Sequence, residues 1–114
     1  MEGASNSVEP FSGTPSDLEN FVKMKGILCV VEFFSNSCPP CRPFSKVFEE
    51  IAIQYFEICF RKINVVANSD IAKRFNVSSL PSVKFFKWDQ NLKLLGTIIG
   101  NRQDEIKLAI ENLK

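Results

Sequence analysis

The sequence predicts an α/β domain in which a mixed β-sheet of four to five strands is flanked by about four helices. Two nearly unbroken apolar runs, residues 27–34 and 58–66, are typical of central strands buried on both faces. Amphipathic segments separate the runs, which favours parallel pairing between them. The segments 83–88 and 93–99, joined by turn residues 89–91, predict a closing hairpin that adds antiparallel strands.

Capping residues and apolar spacing predict the first two helices. Ser16 and Glu19 have the spacing of a capping box that opens a helix over residues 17–24, and Gly26 ends it. A second helix runs from about residue 40 to residue 55, where apolar residues recur at steps of three and four.

The last two helices follow the same logic. Asn68 or Ser69 is expected to cap a short helix over residues 70–75, and Asn101 to cap a final amphipathic helix. At the other end of the chain, residues 1–10 are expected to form a flexible arm before a single domain over residues 11–114. A short strand near Val8–Phe11 could raise the strand count to five.

Composition narrows the classes of function. The formal net charge of +1 gives no electrostatic case for nucleic acid or an anionic membrane as a partner. No stretch has the roughly 18 apolar residues that span a bilayer, and polar residues 1–15 make a cytoplasmic location the default expectation. The chain contains no His, which excludes Ser-His-Asp and Cys-His nucleophile pairs.

The chemistry centres on Cys38-Pro39-Pro40-Cys41, which follows a buried strand and opens a helix. Unpaired N–H groups and the helix dipole stabilise an anion there, so we expect a lowered pKa and a reactive thiolate at Cys38. Cys41 lies one turn inward, where its thiol stays protonated and shielded. Cys38 would therefore attack a substrate disulfide, and Cys41 would resolve the mixed disulfide.

Two other readings of this motif are open, a structural zinc site and a fortuitous pair of cysteines. Zinc usually takes four ligands, and the remaining candidates, Cys29 and Cys59, lie in apolar strands. We therefore expect no metal, and we expect Cys29 and Cys59 to be small buried core residues.

The order strand, Cys-x-Pro-Cys and helix resembles the thioredoxin family, from about Ser16 to Lys114. Further matches to that family are the strand segment Val31-Glu32-Phe33-Phe34, Lys62, the cis-proline loop Leu80-Pro81-Ser82, and Gly100. The resemblance implies a thioredoxin fold and a protein-disulfide reductase that needs no cofactor. It also implies a redox-active Cys38–Cys41 disulfide and a substrate-binding surface of Pro39, Pro40, Leu80, Pro81 and Gly100.

The resemblance also implies partners. Substrates would be disulfide-containing proteins, a thioredoxin reductase or glutathione would supply electrons, and the protein would act as a monomer. The family usually has Trp before the first Cys, where this chain has Ser37, and its only Trp is Trp88. That departure puts docking to a standard reductase in doubt. Lys46 stands where the family has a proline midway along the active-site helix.

Glu32 and Lys62 complete the candidate site. A carboxylate in an apolar run is costly unless it is paired or protonated. We hypothesise that Glu32, where the family usually has Asp, accepts the proton of Cys41 as a general base. The alternatives are a solvated or salt-bridged Glu32 at a strand edge and a plain surface lysine at position 62.

Two other functions are open at this point. One is a disulfide oxidase or isomerase, which would need an oxidising compartment. The other is a non-enzymatic binding module or redox-gated scaffold built on the same fold.

Overall fold

The computed structural model describes residues 7–114, and within them it shows a five-stranded mixed sheet with four helices. The strands are β1 (Glu9–Pro10), β2 (Cys29–Phe34), β3 (Cys59–Asn64), β4 (Ser82–Asp89) and β5 (Asn91–Ile99). The helices are α1 (Pro15–Lys25), α2 (Cys41–Gln54), α3 (Ser69–Arg74) and α4 (Gln103–Leu113). The predicted fold class is confirmed. None of the helices in residues 7–114 is long and apolar enough to cross a membrane.

The sheet has the strand order β1-β3-β2-β4-β5. Strands β1 and β2 each pair with β3 in parallel, whereas β4 pairs antiparallel with both β2 and β5. Strand β2 is therefore central and has a neighbour on each side. This position explains its apolar sequence, because both faces of a central strand are covered.

Two hydrophobic clusters fill the space between the sheet and the helices. Helices α2 and α4 cover one face, where Phe48 and Ile110 pack with Val30 of β2. Helices α1 and α3 cover the other face, where Leu18 packs with Val31. Alternate residues of β2 thus enter opposite clusters, as the period of a strand requires.

The start of α1 differs from the prediction. Thr14, not Ser16, is the N-cap: its Oγ1 accepts from the Asp17 N–H at 3.1 Å, and Asp17 Oδ2 accepts from the Thr14 N–H at 2.8 Å. The capping box is therefore Thr14 with Asp17, rather than Ser16 with Glu19. This choice places Pro15 at the first helical position, where a missing N–H costs least.

The caps of α3 and α4 also differ. Asn68 precedes α3 but caps nothing with its side chain, which instead accepts from the Gly13 N–H at 2.9 Å and donates to the Asn64 carbonyl oxygen at 3.0 Å. The residue before α4 is Arg102, not Asn101. Arg102 forms an ion pair with Glu105 in the first turn of α4, with 2.9 Å between its guanidinium nitrogen and a carboxylate oxygen.

The N-terminal arm predicted over residues 1–10 extends too far along the chain, because its last residues belong to the folded domain. Glu9 and Pro10 form β1, which pairs with Arg61 and Lys62 of β3, and Val8 is buried. The short strand expected near Val8–Phe11 is therefore confirmed. The first six residues of the arm lie outside the described residues.

Candidate active site

The Cys38–Cys41 pair lies where the loop after β2 meets the first turn of α2. The two sulfurs form a disulfide, and the Cα atoms are 5.4 Å apart. Cys41 is the first residue of α2 and is 3% exposed, whereas Cys38 is half-buried. Cys41 is thus shielded from solvent, while Cys38 is partly exposed.

Prolines limit the backbone donors around this pair. Pro39, Pro40 and Pro43 have no N–H, and the Cys41 N–H already donates to the Cys38 carbonyl oxygen at 3.1 Å. The unpaired N–H groups expected from a helix start are therefore fewer than at an ordinary helix start. The helix dipole remains to stabilise a thiolate.

A groove of about 650 Å³ runs alongside the disulfide. Its walls come from the end of β2, the loop that follows it and the first two turns of α2: Phe34, Ser35, Asn36, Ser37, Cys38, Pro39, Cys41, Arg42, Pro43 and Ser45. Pro39 and Pro40 are exposed beside Cys38, as the prediction of a contact surface requires. Ser37 is also exposed, and its hydroxyl lies 3.4 Å from that of Ser35.

Glu32 is buried in the middle of the sheet, with 1% of its surface exposed. Its Oε2 accepts a hydrogen bond of 3.1 Å from the Ser45 hydroxyl, and its Oε1 has no hydrogen-bond partner within residues 7–114. Burial raises the pKa of Glu32 to about 7, although the Ser45 hydrogen bond and the nearby Lys62 lower it. The reading of Glu32 as a solvated residue at a strand edge is wrong.

Lys62 is the register partner of Glu32 on the adjacent strand β3. Among the described residues, the two side chains form no ion pair within 4.0 Å, so the alternative of a Glu32 salt-bridged to Lys62 is wrong. Lys62 acts on Glu32 through space, because its charge lowers the pKa of Glu32. The side chain is half-buried, which also distinguishes it from a plain surface lysine.

The Leu80-Pro81 peptide bond is cis, as the resemblance implied. Because Ser82 pairs with Phe33, Pro81 lies beside the end of β2, where the loop to Cys38 begins. The Gly100 N–H donates to the Pro81 carbonyl oxygen at 2.8 Å. The structure therefore brings the predicted residues Leu80, Pro81 and Gly100 to the same end of the sheet as the cysteine pair.

Ser45 is a site residue that sequence reasoning missed. It follows Cys41 by four positions, and residues with this spacing are neighbours on one face of a helix. A polar residue at that spacing, on the face that continues with Phe48, is the signal that could have identified it.

No cluster of three or more potential metal ligands forms within residues 7–114.

Comparison with known proteins decides the family. The Thioredoxin family model matches residues 10–112. The chain belongs to the thioredoxin family. Thioredoxin-2 of Saccharomyces cerevisiae is 35% identical over 83 residues, which cover 73% of this chain and 77% of that protein. The structure of Trichomonas vaginalis thioredoxin superposes with a TM-score of 0.86 at 33% identity, covering 95% of this chain and 97% of that one.

Some relatives are much longer than this chain. The peptide-N(4)-(N-acetyl-beta-glucosaminyl)asparagine amidase of Caenorhabditis elegans is 32% identical over 85 residues, and the match spans 14% of its length. For the same protein of Caenorhabditis briggsae the match spans 11%. The chain therefore combines membership of the thioredoxin family with a disulfide between Cys38 and Cys41.

Proposed function

We propose that the protein is a thioredoxin-like protein-disulfide reductase in which Cys38 is the nucleophile and Cys41 the resolving thiol. The difference in burial between the two sulfurs supports this proposal. Only Cys38 borders the groove with enough exposure for attack on a protein disulfide, while Cys41 is held within bonding distance of it.

The reaction proceeds in two exchanges. The Cys38 thiolate attacks one sulfur of a substrate disulfide, that S–S bond breaks, and the substrate's other sulfur leaves as a thiolate that takes up a proton. Cys41 then loses its proton and attacks Cys38, which releases the second substrate sulfur. The substrate gains two electrons and two protons, and the chain ends with the Cys38–Cys41 disulfide that the structure shows.

Glu32 accepts the proton of Cys41 in the second exchange, with Ser45 as its positioning residue. A group with a pKa of about 7 is suited to exchange a proton near neutral pH. Ser45 holds Oε2, so the unpartnered Oε1 is available for the proton, directly or through water. Ser45 and Cys41 are neighbours on one face of α2, which supports a role for this contact in orienting the carboxyl toward the resolving thiol.

An extended segment of the substrate lies across the surface formed by Pro39, Pro40, Leu80 and Gly100, next to Pro81, which is itself buried. Within the described part of the chain, neither backbone polar group of Leu80 bonds to another backbone group. A substrate strand can pair with such free groups by strand addition. Because this recognition uses backbone groups, it suits substrates of varied sequence.

Electrons return to the disulfide from a thioredoxin reductase or from glutathione. We favour glutathione or a specialised reductase, because Ser37 offers no large apolar ring beside Cys38. The protein acts as a monomer, since every proposed reacting group comes from one chain. We place it in the cytoplasm, where a reducing pool would return the Cys38–Cys41 disulfide to its dithiol form.

Reduction of insulin disulfides with dithiothreitol as electron donor tests the proposal. We expect turnover by the wild type and a loss of at least about 100-fold in Cys38→Ser, because that variant has no exposed nucleophile. Ser37→Ala, a change beside Cys38 that keeps both sulfurs, is the matched control. A folded wild type that reduces no insulin would contradict the reductase proposal and favour a binding module, while rapid refolding of scrambled substrates without net reduction would favour an isomerase.

A further inference from the structure

A second pair of cysteines lies at the opposite end of β2 from the groove. Cys29 begins β2 and Cys59 begins β3, and the register of the two strands pairs their Cα atoms. Both thiols are free and buried, and the Cys29 thiol donates a hydrogen bond of 3.6 Å to the Ile27 carbonyl oxygen. We propose that Cys29 and Cys59 are a second redox-active dithiol, which a low-molecular-weight disulfide oxidises to a cross-strand disulfide.

The backbone geometry suits such a bond. Neighbouring strands lie about 4.7–4.9 Å apart, and the Cα atoms of disulfide-bonded cysteines are usually about 4.4–6.8 Å apart. Register partners on adjacent strands direct their side chains to the same face of the sheet. Cys29 and Cys59 accordingly belong to the same hydrophobic cluster, beneath α1 and α3.

The two sulfurs differ in access and in charge. Cys59 is 6% exposed and Cys29 is 0% exposed, so an oxidant reaches Cys59 first. The neighbouring Cys29 thiol lowers the pKa of Cys59, and the cations Arg61 and Lys25 lower it further against the effect of burial. The neighbouring Cys59 and burial raise the pKa of Cys29. Cys59 is therefore the attacking thiolate and Cys29 the second thiol, since reactive cysteines lie in electropositive surroundings.

The reaction consumes one molecule of oxidant, for which we name glutathione disulfide as the class. The Cys59 thiolate attacks one of its sulfurs, its S–S bond breaks, and one glutathione thiolate leaves. Cys29 gives its proton to that thiolate and attacks the Cys59 sulfur, which releases the second glutathione as a thiolate that takes up the proton lost by Cys59 on ionisation. The chain loses two electrons and the oxidant becomes two thiols.

This dithiol is separate from the Cys38–Cys41 pair. Strand β2 has six residues, which separates Cys29 from the start of the active-site loop by about 17 Å. The two pairs therefore do not exchange within one molecule. The proposal does not depend on the reductase activity proposed above.

The test uses the Cys38→Ser/Cys41→Ser variant, whose only cysteines are Cys29 and Cys59. The folded variant is incubated with glutathione disulfide, then unfolded in an alkylating reagent and weighed by mass spectrometry. We expect the number of alkylatable thiols to fall from two to none, with no glutathione attached. Tryptic peptides 26–46 and 47–61 should then be found linked.

The control adds Cys29→Ala to that variant, so that Cys59 can only stay free or stop as a mixed disulfide with glutathione. Folding is checked by circular dichroism. The linked peptides are also sought in the oxidised wild type, where fragmentation must place the cross-link at Cys29 because peptide 26–46 then also carries Cys38 and Cys41. Two thiols that persist in the folded protein but disappear in urea would overturn the proposal. A glutathione adduct that persists on Cys59 with Cys29 present would overturn it equally.

Discussion

The two cysteine pairs occupy opposite ends of strand β2 and are brought together by different means. Cys38 and Cys41 are close because they are three residues apart at the start of a helix, and a groove of about 650 Å³ lies beside them. Cys29 and Cys59 are 30 positions apart along the chain, and only the parallel register of β2 with β3 joins them. One pair lines the groove, and the other lies under two helices. The two pairs therefore differ in how accessible they are to another molecule, and not in whether the fold brings their two residues together.

The largest expected effect that tests this comparison comes from Cys41→Ser. Without the resolving thiol, the mixed disulfide formed by Cys38 cannot be released, so we expect turnover to fall by at least about 100-fold. Covalent complexes with substrate proteins should accumulate and dissolve in dithiothreitol, as seen on non-reducing gels. Cys29→Ser is the matched control and should trap nothing. Equal trapping by both variants would show that exposure does not divide the two pairs.

Glu32→Gln tests how much the burial of a charged carboxyl lowers the free energy of unfolding. The pKa of Glu32 is about 7 in the folded chain, against an ordinary value of 4.5. The folded state therefore holds a proton that the unfolded state has released, and stability falls as pH rises from about 4.5 to about 7. We expect Glu32→Gln to raise the free energy of unfolding at pH 8 by about 1–3 kcal/mol.

Urea unfolding at pH 4 and pH 8 measures this effect. The increase in the free energy of unfolding caused by Glu32→Gln should nearly vanish at pH 4, where Glu32 is protonated in both the folded and the unfolded state. Resolution of the mixed disulfide should become slower in the same variant at pH 8, because the proton acceptor is gone. A variant that is less stable at pH 8 would show that Glu32 is not charged and buried there.

Ser45→Ala isolates the hydrogen bond between α2 and Glu32. The hydroxyl stabilises the charged carboxyl, so its loss should raise the pKa of Glu32, by an amount that corresponds to about 1 kcal/mol. The midpoint of the pH–rate profile for resolution should move upward, and Ser45→Thr should restore it. Ser35→Ala, in the same groove, is the control. A uniform loss of rate with an unchanged midpoint would indicate a structural role only.

Pro39→Ala should have the smallest effect. The substitution restores one backbone N–H beside Cys38, which can stabilise the thiolate, so we expect the pKa of Cys38 to fall by a few tenths of a unit. The rate of alkylation by iodoacetamide as a function of pH measures it. Pro15→Ala, at the first position of α1, should leave the profile unchanged.

Much of the fold was predictable from local sequence. The apolar runs predicted β2 and β3, and the spacing of Phe44, Phe48 and Ile51 predicted the buried face of α2. The caps were harder to predict, because Thr14 and Ser16 both start a box-like pattern. The energetic difference between those two choices comes from Pro15 and from the packing of α1, which no short motif records.

By itself, the sequence determined the cysteine pair, the helix that opens at it and the apolar runs that form the sheet, because these depend on contacts within a few residues. Tertiary structure alone decided how distant residues meet. It placed Ser45 against Glu32, kept Lys62 near that carboxyl without an ion pair, and set Cys29 beside Cys59. Such contacts depend on strand order and register, which are fixed by the packing of the whole core rather than by any one segment.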